Sequence, residues 1–306
     1  MVIHWDEVEA RTFDGTQLRG TGWRLGDAAG CARAGLSRYG IAAGERAMPV
    51  HVHADEEELF YVLDGEGLSW QDGRAYRVRA GDCILHRADA EAHTIVGAGE
   101  GLDVLAFSGG SDTGLTWLPR ARAWWNGPHW LPQDGPNPFD AEEAAGPLDV
   151  PEPETARPPT IVALGDMPAE DYTGGGDVVA VRRELGDALG STRTGVAHIV
   201  VAPGALSAPP HCHAAEEEMF FVLDGTGTLL LGDEEHVVRP GSVVARPPGT
   251  GVAHAFRAGD APLGLLAFST RDPNDITFFP RSGKVALRGI KARFFVQQVE
   301  YWDGEV

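Results

Sequence analysis

The chain repeats itself once, end to end. Leu25-Gly-Asp-Ala-Ala-Gly30 returns as Leu185-Gly-Asp-Ala-Leu-Gly190, and the same offset of 160 pairs Gly44 with Gly204, His51 with His211, His53 with His213, Glu58 with Glu218, Gly65 with Gly225 and Gly81 with Gly241. One additional residue near Pro247-Pro-Gly-Thr250 shifts the offset to 161, after which His93 pairs with His254 and Leu105-Ala-Phe-Ser108 with Leu266-Ala-Phe-Ser269. A unit of about a hundred residues is far longer than a solenoid repeat, so the pattern reads as a duplicated domain. A chain of 306 residues also exceeds the usual length of one domain.

Residues 128 to 159 hold nine of the 21 prolines among acidic and small residues, which is linker composition. The organisation expected is an N-terminal domain over 1–127, a Pro-rich linker over 128–159 and a C-terminal domain over 160–306. Trp124, Trp125 and Trp130, just before or within the linker, are expected at an interdomain contact, since exposed tryptophans are costly. Within each copy the apolar runs are short and rich in Val, Ile, Leu and Phe, and Asp64-Gly-Glu-Gly67, Gln71-Asp-Gly73 and Ala80-Gly-Asp82 separate them as turns. Strands at this spacing predict an all-β sandwich or barrel.

Composition narrows the function. Twenty-five Lys and Arg against 45 Asp and Glu give a net charge of -20, which repels nucleic acid and anionic membrane surfaces. No run approaches the ~18 apolar residues of a membrane span, and the N-terminus lacks a basic segment followed by an apolar one. Cys31, Cys83 and Cys212 form neither a disulfide framework nor a CxxC pattern, so a cytoplasmic location is expected.

The chemistry sits in the repeated polar residues. On a strand, side chains alternate faces, so His51 and His53 share one face, as do His211 and His213. After a short acidic turn, Glu58 or Glu218 is expected on the adjacent antiparallel strand opposite the histidines, sharing its face with Phe60 and Val62 or with Phe220 and Val222. His93 and His254 complete each set. Three imidazoles and one carboxylate suit Mn, Fe, Co, Ni, Cu or Zn better than Mg or Ca, with up to two ions per chain. Four protein ligands around a six-coordinate ion leave two positions for a substrate or dioxygen. Cys212, between two inward histidines, is expected to point outward as a packed thiol. Glu56, Glu57, Glu216 and Glu217 are expected as solvated turn residues that could replace the chosen glutamates if the register slips. His86 and His198 lack matching histidines in the other copy and are expected at the surface or a pocket rim.

These residues and spacings resemble the two motifs of the cupin superfamily, and the duplication is similar to the bicupins, a group that includes oxalate decarboxylases and some dioxygenases. The resemblance covers roughly residues 25 to 120 and 185 to 281. It implies a jelly-roll β-barrel in each half, with His51, His53, Glu58 and His93, and His211, His213, Glu218 and His254, as metal ligands. Where oxalate decarboxylases carry a substrate-binding arginine three residues before the histidine pair, this chain has Met48 and Ala208, which argues against oxalate. The leading expectation is a dioxygenase-type oxidoreductase acting on a small oxygenated molecule chelated at the metal. The alternatives are a metal-dependent isomerase or decarboxylase, and a non-enzymatic small-molecule-binding protein. Glu91, two residues before His93, is the candidate acid or base, and Arg38, Arg46, Arg193 and Arg246 are candidates to line a pocket for an anionic substrate. Duplication can replace a dimer interface within one chain, so a monomer and a homodimer are both compatible with the sequence.

Overall fold

A computed structural model describes residues 1–306 apart from Asp112, Pro128, Gln133 and Val306. The protein is all-β, with two jelly-roll barrels whose main sheets have the same strand order. In the first barrel the order is Ile161–Ala163, Asp82–His86, Glu58–Gln71, His93–Ser108, Gly35–Ile41, Arg19–Arg24, Arg11–Asp14. In the second it is Val2–His4, Ser242–Arg246, Glu218–Asp224, Leu263–Thr270, Thr194–Val201, Val178–Glu184, Glu170–Gly174. The first strand of each sheet comes from the other half of the chain. Val2–His4 pairs antiparallel with Ser242–Arg246, and Ile161–Ala163 pairs with Asp82–His86. Each barrel therefore lends a strand to its neighbour.

Alternation along the central strands explains why they read as continuous apolar runs. In Leu59-Phe-Tyr-Val62, Phe60 and Val62 join Ile84, Ile95 and Val104 inside the first barrel, while Leu59 and Tyr61 point out of it. In Met219-Phe-Phe-Val222, Phe220 and Val222 enter the second barrel, and Met219 and Phe221 point out. The outward residues of both copies meet in one core between the barrels with Leu85, Leu105, Phe107, Leu266 and Phe268. A sheet buried on both faces needs no polar alternation. Phe107 and Phe268, a repeat pair, stack across the pseudo-twofold with centroids 4.9 Å apart, a contact of about 1 kcal/mol beyond burial of the rings. The repeated Gly65 and Gly225 sit at φ of 79° and 76°, and a Cβ on either would lie 2.0 or 2.1 Å from a carbonyl oxygen of the neighbouring strand. Only glycine fits where the strand bends so close to another.

The turn glutamates are not solvated. Glu57 and Glu217 are each 2% exposed and cross to the opposite barrel. Glu57 accepts hydrogen bonds from the backbone N–H groups of Thr192, Arg193 and Thr194 and from the hydroxyls of Ser191 and Thr194, at 2.6 to 3.1 Å. Glu217 accepts from the N–H groups of Ala32, Arg33 and Ala34 at 2.6 to 2.8 Å. The cause is geometric: successive backbone N–H groups in a tight loop make an anion-binding nest, and each barrel presents one to the other.

The tryptophan expectation is also corrected. Trp5 and Trp23 flank the core between the barrels, whereas Trp124, Trp125 and Trp130 lie on the short strands Ala123–Asn126 and His129–Leu131. Trp124 packs on Trp117, and Trp125 on Phe139. The Pro-rich segment carries the helix Pro138–Ala144, which docks on the first barrel. Its buried Glu142 pairs with Arg46 at 2.8 Å and Arg120 at 2.9 Å, and Glu143 accepts from the backbone N–H groups of Gln17 and Leu18.

Burial alone would raise the Glu57 carboxyl, but its donors hold it below the usual glutamate value of 4.5. A lowered folded value contributes stability above the unfolded value, lost as pH falls through the folded one. Glu57→Ala is expected to destabilise the protein by roughly 3 kcal/mol at neutral pH, because buried donors lose their charged acceptor. Denaturant melts should show the gap from the wild type narrowing as pH is lowered from 4.5.

Candidate metal centres

In the first barrel three imidazoles converge on one carboxylate oxygen. The Nε2 atoms of His51, His93 and His53 lie 3.2, 3.1 and 3.5 Å from Glu58 Oε2, and one ligand atom from each of the four lies within 4.8 Å of all the others. The route differs from the one expected. The strand Val52–His53 pairs with Thr116–Leu118 in a small second sheet, and His51 exchanges backbone hydrogen bonds with His93. Glu58 instead opens a strand of the main sheet, paired with His86 and Ser108. The site forms because the two walls of the barrel face each other, a consequence of sheet closure that local spacing does not reveal.

The donor chemistry fits a cation. His51 Nδ1 faces Pro49 O at 2.9 Å, His93 Nδ1 faces Glu91 O at 3.1 Å, and His53 Nδ1 faces Glu56 Oε1 at 3.0 Å. An acceptor at Nδ1 places the N–H there and leaves a lone pair on Nε2. Three lone pairs and a carboxylate oxygen, about 3 Å apart, repel unless a positive charge lies among them; ligands about 2.1 Å from one transition-metal ion stand about that far apart. His53 Nε2 is buried with no hydrogen-bond partner.

The second barrel repeats the arrangement with looser closure. His213 Nε2 and His254 Nε2 are each 3.2 Å from Glu218 Oε2, and His211 Nε2 is 3.8 Å away. His211, Glu218 and His254 form one group of converging ligand atoms, and His213 falls instead into a second group with Glu216 and Asp275. Its Nδ1 donates to Asp275 Oδ2 at 2.7 Å, so Asp275 takes the place that Glu56 has beside His53. The Nε2 atoms of His213 and His254 and Glu218 Oε2 are buried without hydrogen-bond partners.

The electrostatics follow from burial against pairing. Burial alone would raise the carboxyls of Glu58 and Glu218, but the imidazoles hold both well below the usual range. Burial pushes His93 down to about 3 and His211 down to about 4. It opposes charge on His53 and His213 too, but without an ion the adjacent carboxylates outweigh it and push each up to about 10, so that a cation entering either cluster would displace a proton from that imidazole.

Several expected residues lie elsewhere. Glu91 precedes the strand, which begins at His93, so alternation does not apply to it. Its Oε1 is 2.9 Å from His86 Nδ1, and it does not line the cavity. His86 is buried, not at the surface; its ring stacks on His93 with parallel planes and centroids 3.7 Å apart. His198 is 8% exposed, on the strand Thr194–Val201. Cys212 is a buried free thiol outside both ligand groups. Glu216 is 1% exposed, paired with Arg288, and burial raises it to about 7. Of the expected arginines, Arg38 is bound to Asp103 and Arg46 to Glu142; the cavity arginines are Arg11 and Arg24 in the first barrel and Arg182, Arg271 and Arg288 in the second.

Each cluster lies on a cavity wall. The first cavity, of about 490 Å³, is lined by Met48, Tyr39, Ser37, Trp125 and Phe139 besides His51, His53 and Glu58; the second, of about 320 Å³, by Ala208, Arg182, Glu184 and Arg271. Met48 and Ala208 do face the cavities from the positions before each histidine pair. Sequence reasoning missed Tyr39 and Asp275. The signal available for Tyr39 was its repeat partner Ile199, a polar-for-apolar change on an otherwise matching strand.

The cupin domain family matches the sequence twice, over residues 37–108 and 197–269, one match around each cluster. This chain belongs to the cupin superfamily as a bicupin. No protein of curated function matches the bicupin by sequence. Among solved structures it is similar to the oxalate decarboxylase of Lactobacillus farciminis in a formate complex, with a TM-score of 0.62 and 16% identity over 90% of this chain and 88% of that one. It is also similar to Bacillus subtilis oxalate decarboxylase at pH 4.6, with a TM-score of 0.59 and 16% identity over 88% and 75% of the two chains. A further structure of that enzyme, described for its Mn(II) centres, aligns with a TM-score of 0.60. Among the described residues, no helix is long and apolar enough to cross a membrane.

Groups that orient a metal-binding imidazole typically contribute 10–100-fold to affinity. Asp275→Asn, which keeps the shape and removes the charge behind His213, is expected to weaken binding at the second centre by about that factor. Competition titrations with a chelator should show one of two sites weakened and the other unchanged.

Proposed function

We propose that this bicupin is a metal-dependent enzyme acting on a small oxygenated organic acid, in the decarboxylase sense. The observation that carries the reading is the first centre: the Nε2 atoms of three imidazoles lie 3.1 to 3.5 Å from one Glu58 carboxylate oxygen, beside an accessible cavity. We assign His51, His53, Glu58 and His93 as ligands of one divalent transition metal, and His211, His213, Glu218 and His254 as ligands of a second. When bound, such an ion polarises a coordinated substrate oxygen as a Lewis acid.

The fold neighbours are decarboxylases, which supports this reading over the dioxygenase expected from the resemblance. Oxalate remains disfavoured, since the apolar Met48 and Ala208 line the cavities where an arginine would be needed. Decarboxylation breaks the bond between the carboxyl group and its neighbouring carbon, leaves the electron pair on that carbon and releases carbon dioxide; a proton must then reach the carbon. Tyr39 is the proton donor assigned here. Its phenol lines the cavity beside Ser37, and burial, reinforced by the Glu58 charge, raises its pKa and keeps it protonated. The three free thiols fit a reducing compartment.

Metal-loaded protein supplied with hydroxy and keto acids under anaerobic conditions is expected to release carbon dioxide. Turnover that consumes one dioxygen per substrate would contradict the decarboxylase reading. Tyr39→Phe is expected to lower kcat by about 10²-fold with bound metal unchanged.

A further inference from the structure

Charge is unevenly divided along this acidic chain. Residues 276 to 299 hold Arg281, Lys284, Arg288, Lys291 and Arg293, with no Asp or Glu, in a chain of net charge -20. Lys284 and Lys291 are its only lysines. The segment folds into the strands Ile276–Phe279, Lys284–Leu287 and Ala292–Phe295, which extend the small second sheet of the C-terminal barrel outward from Cys212–His213. Arg281 is paired with Asp177 and Arg288 with Glu216. Lys284 lies over the Phe279 ring at 4.5 Å, and among the described residues neither Lys291 nor Arg293 has a carboxylate partner, although both are exposed.

The last of these strands is an open edge, paired only with Lys284–Leu287. It carries Phe294 and Phe295 at 52% and 81% exposure, and Ile290, Val296, Tyr301 and Trp302 near it in the chain are exposed as well. The equivalent sheet of the first barrel ends at His129–Leu131, also paired on one side only, and bears the docked helix Pro138–Ala144 through Phe139 against Trp125. Among the described residues the C-terminal sheet has no such helix after its last strand, and its outer rings stay in water. The first-barrel edge has the opposite charge. Asp134 follows the strand and Asp140 lies on the helix, both exposed, and residues 128 to 156 hold no Lys or Arg. Trp124 and Leu131 supply exposed apolar surface there.

Apolar residues on both edges provide the contact area, and charge selects which edge meets which. Basic side chains bar an edge strand from a like edge and leave it open to an acidic one. We infer that the basic edge Ala292–Phe295 of one molecule docks on the acidic edge His129–Leu131 of a second copy, with Lys291 and Arg293 set against Asp134 and Asp140. The contact is heterologous and leaves each copy with its other edge free, so further copies add until a ring closes or the assembly extends. It does not depend on the metal or on the decarboxylase reading.

The test follows full-length, tag-free protein by sedimentation velocity and light scattering across a concentration series reaching about 100 μM. Mass is expected to rise with concentration, and the association to weaken at least about tenfold between roughly 0.1 and roughly 0.5 M salt. Lys291→Glu/Arg293→Glu and Asp134→Lys/Asp140→Lys should each weaken self-association at least about tenfold, with melting temperature unchanged, and an equimolar mixture of the two variants should associate again. Phe294→Ser/Phe295→Ser should also abolish it. Should one charge variant melt below the wild type, the other variant and the salt dependence of the wild type decide. A wild type that stays monomeric throughout would overturn the assignment, and binding of that monomer to phosphatidylserine vesicles would give the basic face to an anionic membrane instead. Association that survives Asp134→Lys/Asp140→Lys unchanged would overturn it too, because the basic edge would then be meeting another surface.

Discussion

Three successive glutamates leave the turn after each histidine pair in three directions, and both the barrel pairing and the metal clusters depend on that divergence. In the first copy Glu56 backs His53, Glu57 crosses into the nest of the other barrel, and Glu58 meets the three imidazoles. In the second, Glu216 lies beside Arg288, Glu217 crosses back, and Glu218 faces its own histidines. The residue that joins the barrels is thus covalently adjacent to the residue that closes each centre. With strands exchanged at both ends and one apolar core between them, neither barrel has a complete main sheet without the other half of the chain.

Duplication fixed the framework and left the walls free to change. The clustered histidines and glutamates, the strand order and the clamps repeat, while the groups around each cluster do not. The cavity with Gly22 and Tyr39 is the larger and is lined by aromatic rings, whereas the one with Arg182 and Ile199 is smaller and lined by ion pairs. The histidine support shifts as well, from Glu56 beside His53 to Asp275 beside His213. A symmetric scaffold with asymmetric linings is a physical basis for one site handling substrate and the other serving a different role.

The repeat made the two barrels and the clustering of histidines with a glutamate in each legible, because converging side chains recur at the same strand positions in both copies. Parity carried Phe60 and Val62 to the inside correctly and failed at Glu91, where the strand has not yet begun. The buried fate of Glu57 and Glu217 was hidden because their partners lie more than 180 residues away or in the other copy's loop, and a nest of backbone N–H groups has no side-chain signature. The exchanged strands were hidden for a similar reason: Val2–His4 and Ile161–Ala163 are too short to show which edge they cover. Proline content marked residues 128 to 159 as a linker, yet the buried Glu142 and cavity-facing Phe139 are features that composition averages away.

The central claim is that each barrel holds one transition-metal ion on three histidines and a glutamate. Elemental analysis by inductively coupled plasma mass spectrometry tests it most directly, on the wild-type protein beside His51→Ala/His53→Ala and His211→Ala/His213→Ala. The account predicts about two ions per chain, falling to one in each variant. Protein that stays free of transition metal after reconstitution, or variants that retain the wild-type content, would contradict it.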